Sequence, residues 1–173
     1  MNSSMSLIGS SLFRRIELQQ LMDLTARAFR KPGKRVWTLP PDKGLEVYAG
    51  YTAGHLREGV DAELLRRMNL EAYRVGKRLR RIFRIRTQEQ AESLIFSLYK
   101  NIGIDMSGSI PGDIYVSRCY FCRHYTPEVC LAASALDEGI ISGLAGKGAL
   151  SFSQRLTDGC SCCRARFIKE EKL

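Results

Sequence analysis

All six cysteines of this 173-residue chain lie in its last third: Cys119, Cys122 and Cys130, then Cys160, Cys162 and Cys163. The first two form a Cys-x-x-Cys pair, and the last three crowd into four positions. If both groups serve one centre, the segment before Cys119 and the segment around Cys160 must lie side by side in the fold. That requirement constrains the architecture more than any other feature of the chain.

Local patterns supply elements that can meet it. Asp113 to Arg118 alternates, with Ile114 and Val116 on one face, and reads as a strand. Thr126-Pro127-Glu128 is a helix start, with a cap, a proline at the first position and an acid in the first turn. The helix it opens carries Val129, Ala132, Ala133, Leu136, Ile140 and Leu144, and ends among Gly143, Gly146 and Gly148. Ala149 to Leu156, the turn Thr157-Asp158-Gly159 and a strand from Cys162 to Ile168 make a C-terminal hairpin. Upstream, Leu12 to Phe29 is a helix stopped by Lys31-Pro32-Gly33. Leu45 to Tyr51 is apolar and aromatic and is expected to be a strand, followed by a loop over Thr52 to Gly59. Asp61 caps a helix that runs to about Phe83, and Thr87 with Gln90 forms a capping box for another that ends near Gly103. Gly76, inside a helix, predicts that another element packs close there. The expected fold is α/β of the α+β kind. An antiparallel sheet with a C-terminal hairpin packs against several helices, around a ligand cavity lined by Leu94, Leu98, Leu136 and Ile140. Residues 1–11 read as a flexible N-terminus, and 12–173 as one domain with a Cys-rich part at 113–168.

The 45% hydrophobic and 26% charged content is that of an ordinary globular chain. No run approaches the roughly 18 apolar residues of a membrane span, and no secretory signal pattern opens the chain. A cytoplasmic location without membrane contact is therefore expected. Thiols stay reduced there, which favours ligands or catalysts over disulfides. The net charge is +9, and between Arg57 and Arg86 ten Arg or Lys face four acids. Such an excess can bind nucleic acid. The plainer reading is a solvated helix face, and nucleic acid ranks last among the partners.

Zinc takes four ligands in a tetrahedron, and thiolate suits it; an iron–sulfur cluster is the main variant. The expected set is Cys119, Cys130, Cys160 and Cys163, with Cys122 as substitute. Cys130 falls in a first helical turn, where the helix dipole favours a thiolate. Cys162 points away from Cys163 on the same strand. His124 is a further nitrogen donor nearby. Two other readings stay open: buried thiols acting as small hydrophobes, and a thiol nucleophile or redox pair with only His55 and His124 as imidazole bases.

Several pieces carry a likeness. They are Tyr73-Arg-Val-Gly76-Lys-Arg-Leu79, the helix and glycine turn from Glu89 to Gly103, and Ile114-Tyr-Val116. Cys130 with Asp137-Glu-Gly139-Ile-Ile-Ser-Gly143-Leu144, and Gly159-Cys-Ser-Cys-Cys163-Arg-Ala-Arg-Phe167, complete the set. Together they resemble the 4-vinyl-reductase-type sensor domain, a small-molecule-binding module related to haem-nitric-oxide-binding and Golgi-transport folds. The resemblance implies an α/β fold, a buried apolar ligand pocket and zinc held by C-terminal cysteines, with Cys130 and Cys163 as the matching positions. Phe152-Ser-Gln-Arg155 stands where that family has Glu-x-x-Cys, and Cys160 where it has Asp. The ending is also similar to that of the 2-amino-thiazoline-4-carboxylate hydrolase family, which would make Cys119, Cys130 or Cys163 part of a hydrolytic site.

The leading expectation is a zinc-binding, small-molecule-binding domain with a sensory or regulatory role. Its ligand is a small apolar or heterocyclic molecule, and its output passes through a homodimer or a separate protein. The alternative is a metal- or thiol-dependent hydrolase of a small C–N heterocycle, with Glu128, Asp137 or Glu138 as base.

Overall fold

The computed structural model describes residues 10–170. The expected flexible segment 1–11 falls almost wholly outside them. In chain order the elements are helices α1 (Ser11–Phe29), α2 (Pro41–Glu58), α3 (Ala62–Ile82) and α4 (Gln88–Asn101), strands β1 (Ile104–Gly108) and β2 (Gly112–Cys119), helix α5 (Pro127–Ala145), and strands β3 (Gly148–Gln154) and β4 (Cys163–Lys169). Short 3-10 turns cover Tyr120–Arg123 and Leu156–Asp158. The sheet is antiparallel with order β1-β2-β4-β3. This is the mixed architecture expected, with the C-terminal hairpin in the sheet and helices packed on it.

Caps read from the sequence are formed. Asp61 accepts from the Leu64 amide at 2.6 Å. The Thr87–Gln90 capping box closes in both directions, and Thr126 accepts from Val129. Each satisfies amides that have no partner within the helix itself.

Two expectations are corrected. Leu45 to Tyr51 is not a strand and Thr52 to Gly59 is not a loop: both belong to α2, which starts on Pro41 at its first turn. Leu45, Tyr48, Ala49, Thr52, Ala53 and Leu56 recur at helical spacing and are buried. Strand-favouring aromatics hid that period. The turn Thr157-Asp158-Gly159 is part of a longer connection. A 3-10 turn precedes Gly159, which takes the left-handed conformation at φ 84°.

One contiguous core joins all these elements. β4 alternates, burying Cys163, Ala165 and Phe167 while Arg164, Arg166 and Ile168 face out. Beside it β2 buries Ile114 and Val116. Helix α5 runs through the interior and crosses α3 at very short range. A Cβ on Gly76 would stand 2.5 Å from the Ile140 carbonyl oxygen, and one on Gly143 2.5 Å from that of Tyr73. Gly76 therefore sits mid-helix because a backbone, not a side chain, lies against it. Among the described residues, no helix is long and apolar enough to cross a membrane.

Candidate functional site

β4 pairs with β2 so that Cys163 lies opposite Val116. Cys119 ends β2 three residues further on, Cys122 follows in the 3-10 turn, and Cys130 sits in the first turn of α5. Sheet register thus brings the tail hairpin to the first thiol group. All six cysteines are free.

Four thiols share one neighbourhood. Burial raises the Cys119 thiol far above its ordinary range, and Cys122 raises it further. Burial pushes Cys163 up to about 11, with Cys130 and Cys122 adding to the effect and the Leu156 amide, which donates to its sulfur at 3.3 Å, opposing it. Burial likewise raises Cys130, with the nearby Thr157 hydroxyl opposing and Cys122 adding. Cys130 is raised although it stands in the first turn of α5, where the helix end favours a thiolate. Cys160 and Cys162 lie in the connection before β4. Cys122 acts on each of Cys119, Cys130 and Cys163 and so joins their group. His124 stacks on Tyr120 with centroids 5.0 Å apart, and His55 packs between Phe29 and Tyr51.

The chemistry of this set suits a thiophilic cation: sulfur donors, buried, and close enough to repel one another once ionised. Among the described residues, however, no three His, Cys, Asp or Glu side chains are gathered as a metal-holding group. A complete shell therefore needs side-chain movement from the arrangement seen.

Cys119 and Cys130 also border a partly enclosed cavity of about 110 Å³. Every helix contributes to its wall, and β1 and β2 close one side through Ile104 and Cys119. Leu98, Leu136 and Ile140 line it as expected, while Leu94 is buried elsewhere in the core. The wall is apolar and aromatic, with Val75, Leu79, Tyr48, Tyr99, Phe121 and Tyr125 among its members.

Two carboxylates interrupt this wall, and sequence reasoning did not assign both. Asp137 was considered only as a base; Glu17 was missed. Asp137 accepts from the Tyr99 hydroxyl at 2.8 Å. Burial raises its pKa from 3.8 to about 6, against the pull of Tyr99 and Arg155. Glu17 accepts from the Asn101 side-chain amide at 3.0 Å. Burial lifts it from 4.5 to about 8, against Asn101 and Arg14. An acid on the inner face of α1, one residue from the fully buried Leu18, was the available signal. Of the other candidate bases, Glu128 is exposed at the start of α5. Glu138 is bound by Asn69 and by the Leu150 amide, tying α5 to α3 and β3.

No family model, no curated protein and no solved structure matches this chain.

Proposed function

We propose that the chain is a small-molecule-binding domain with a sensory or regulatory role, in which the cavity is the ligand site and Cys119, Cys122, Cys130 and Cys163 hold a zinc ion. The observation that carries the reading is the cavity itself. At about 24 cal/mol per Å³ of unfilled core, a space of 110 Å³ costs the empty fold at most on the order of 2–3 kcal/mol. A ligand that fills it returns that packing to helices from all parts of the chain at once. Ligand binding would therefore stiffen the whole domain, as a sensor requires. The space is close to the about 150 Å³ that holds one benzene in an engineered core, so the ligand is of single-ring size.

The zinc part rests on the four thiols acting on one another. When bound, the ion would tie β2, the start of α5 and β4 together as a structural cross-link. The hydrolase reading has less support. Cys130 and Asp137 do border one cavity, but the thiols are held protonated by burial, and neither histidine lines the space.

The test combines elemental analysis with thermal unfolding. About one zinc per chain is expected in protein purified without chelator. A single-ring compound such as benzyl alcohol should raise the melting temperature by about 5–10 °C at saturation, since 1 kcal/mol is worth about 2–4 °C at this size. Ala133→Phe, which fills the cavity from its wall, should abolish the rise. An unchanged rise in that variant would remove the cavity from the account.

A further inference from the structure

We propose that the cavity selects a small organic cation: a single ring bearing a protonated amine, seated with the amine at Asp137 in a wall that also carries Glu17. The inference rests on the cavity being the ligand site, and deepens that reading by naming the charge of the ligand.

The wall holds two carboxylates and no Lys, Arg or His. An apolar wall of this size has no packing reason to carry acids, because burying an ionised carboxylate without a partner is costly. The chain's own cations compensate them only in part: Arg14 acts on Glu17 and Arg155 on Asp137, yet burial outweighs both, and each arginine makes its bonds to other groups. Arg14 reaches the Asn101 carbonyl and Asp42. Arg155 lies over the Phe152 ring at 4.5 Å and donates to Ser134. Neither lines the cavity.

Asp137 is half-buried by surface area, heavily desolvated at its carboxyl, and lines the cavity. Tyr99 occupies Oδ1. Among the described residues, no hydrogen bond reaches Oδ2. That leaves an acceptor for a ligand N–H inside an apolar enclosure, where a charge-assisted bond is strongest.

The aromatic part of the wall adds to the same preference. Tyr48, Tyr99, Phe121 and Tyr125 present rings whose electron-rich faces attract cations. A carboxylate ligand would meet two acids of its own sign. A neutral ring would leave the acids as they are. A cation supplies a positive charge inside the wall, where none stands now, and the raised pKa values of Asp137 and Glu17 agree with that need. Arrival of a cation would ionise Glu17 at neutral pH and release its proton.

Three isosteric probes test this: benzylamine, benzyl alcohol and benzoate, titrated calorimetrically into the full chain at pH 7 in two buffers of different ionisation enthalpy. Benzylamine should bind at least about tenfold more tightly than benzyl alcohol, the difference of one charged contact, with benzoate weakest and with proton release seen between the buffers. Asp137→Asn should remove most of that preference while leaving benzyl alcohol binding in place. Glu17→Gln should remove the proton release, and serves if the first variant does not fold. Benzyl alcohol or benzoate binding as tightly as benzylamine would overturn the inference and leave the cavity as a ligand site. Binding of none of the three would overturn both.

Discussion

Tyr99 on α4 donates its hydroxyl to Asp137 on α5 at 2.8 Å, inside the cavity wall. The bond fixes a carboxylate where burial alone would disfavour it. Removing the donor with Tyr99→Phe leaves Asp137 with desolvation and only distant Arg155 to oppose it. Its titration midpoint, followed by carbon NMR of the carboxyl, should move above about 6. Stability above that pH should fall by about 1–2 kcal/mol, the range for a hydrogen bond to a charged group.

Glu17 gives a pH dependence of definite sign. Its carboxyl holds a proton up to about 8 in the fold, against 4.5 ordinarily. The native state therefore binds more protons than the unfolded state between those values, and stability falls as pH rises through that window. Asp137 acts in the same direction from 3.8 to about 6. Glu17→Gln should be more stable than the parent at pH 8 by on the order of 2 kcal/mol, after allowing for solvent screening, and indistinguishable near pH 4. Urea unfolding at the two pH values reads this directly. A parent that gains stability from pH 5 to 8 would contradict it.

The α3–α5 crossing separates two glycine substitutions that helix propensity would treat alike. Alanine favours a helix over glycine by about 1 kcal/mol. At Gly54, where an added Cβ meets nothing within 4 Å, Gly54→Ala should gain up to that amount. At Gly143 the added atom meets the Tyr73 oxygen at 2.5 Å and Gly76 Cα at 2.8 Å. Gly143→Ala should lose about 1–3 kcal/mol by forcing two backbones apart. Denaturant midpoints of the pair provide the comparison.

The thiols offer a kinetic readout. With Cys163 lifted from 9.0 to about 11, its thiolate fraction at pH 8 is about a hundredfold below that of an unperturbed cysteine. In metal-free protein, mass-spectrometric mapping should show iodoacetamide labelling Cys163 slowly, and Cys119 and Cys130 slowly for the same reason. Fast labelling of all three in the folded chain would mean that burial does not hold them protonated.

Signals confined to one turn were legible in the sequence. Asp61, the Thr87–Gln90 pair and Thr126-Pro127 each fix a helix start through bonds three residues long. Gly76 announced a close approach, although not that Ile140 and Gly143 would supply it. Alternation located β2 and the hairpin, and the need to join the two cysteine groups placed β4 beside β2 correctly. Longer-range facts were not legible. The period of α2 was masked by Tyr48 and Tyr51, and β1 is too short and irregular, with a register shift at Asp105/Met106, to stand out. The place of Cys122 beside Cys119, Cys130 and Cys163 depends on the 3-10 turn that follows β2. Glu17 and Asp137 line one cavity only because α1 and α5 face it from positions 120 residues apart in the chain.

Methyl NMR of the full chain tests the central claim most directly, with Leu98, Leu136 and Ile140 as reporters in the wall and exposed Leu12 and Ile168 as controls. On titration with benzylamine the three wall residues should shift together and saturate, and the two controls should stay in place. Shifts spread evenly over wall and surface, or none at the wall with the ligand in excess, would show that the cavity is not where this chain takes its ligand.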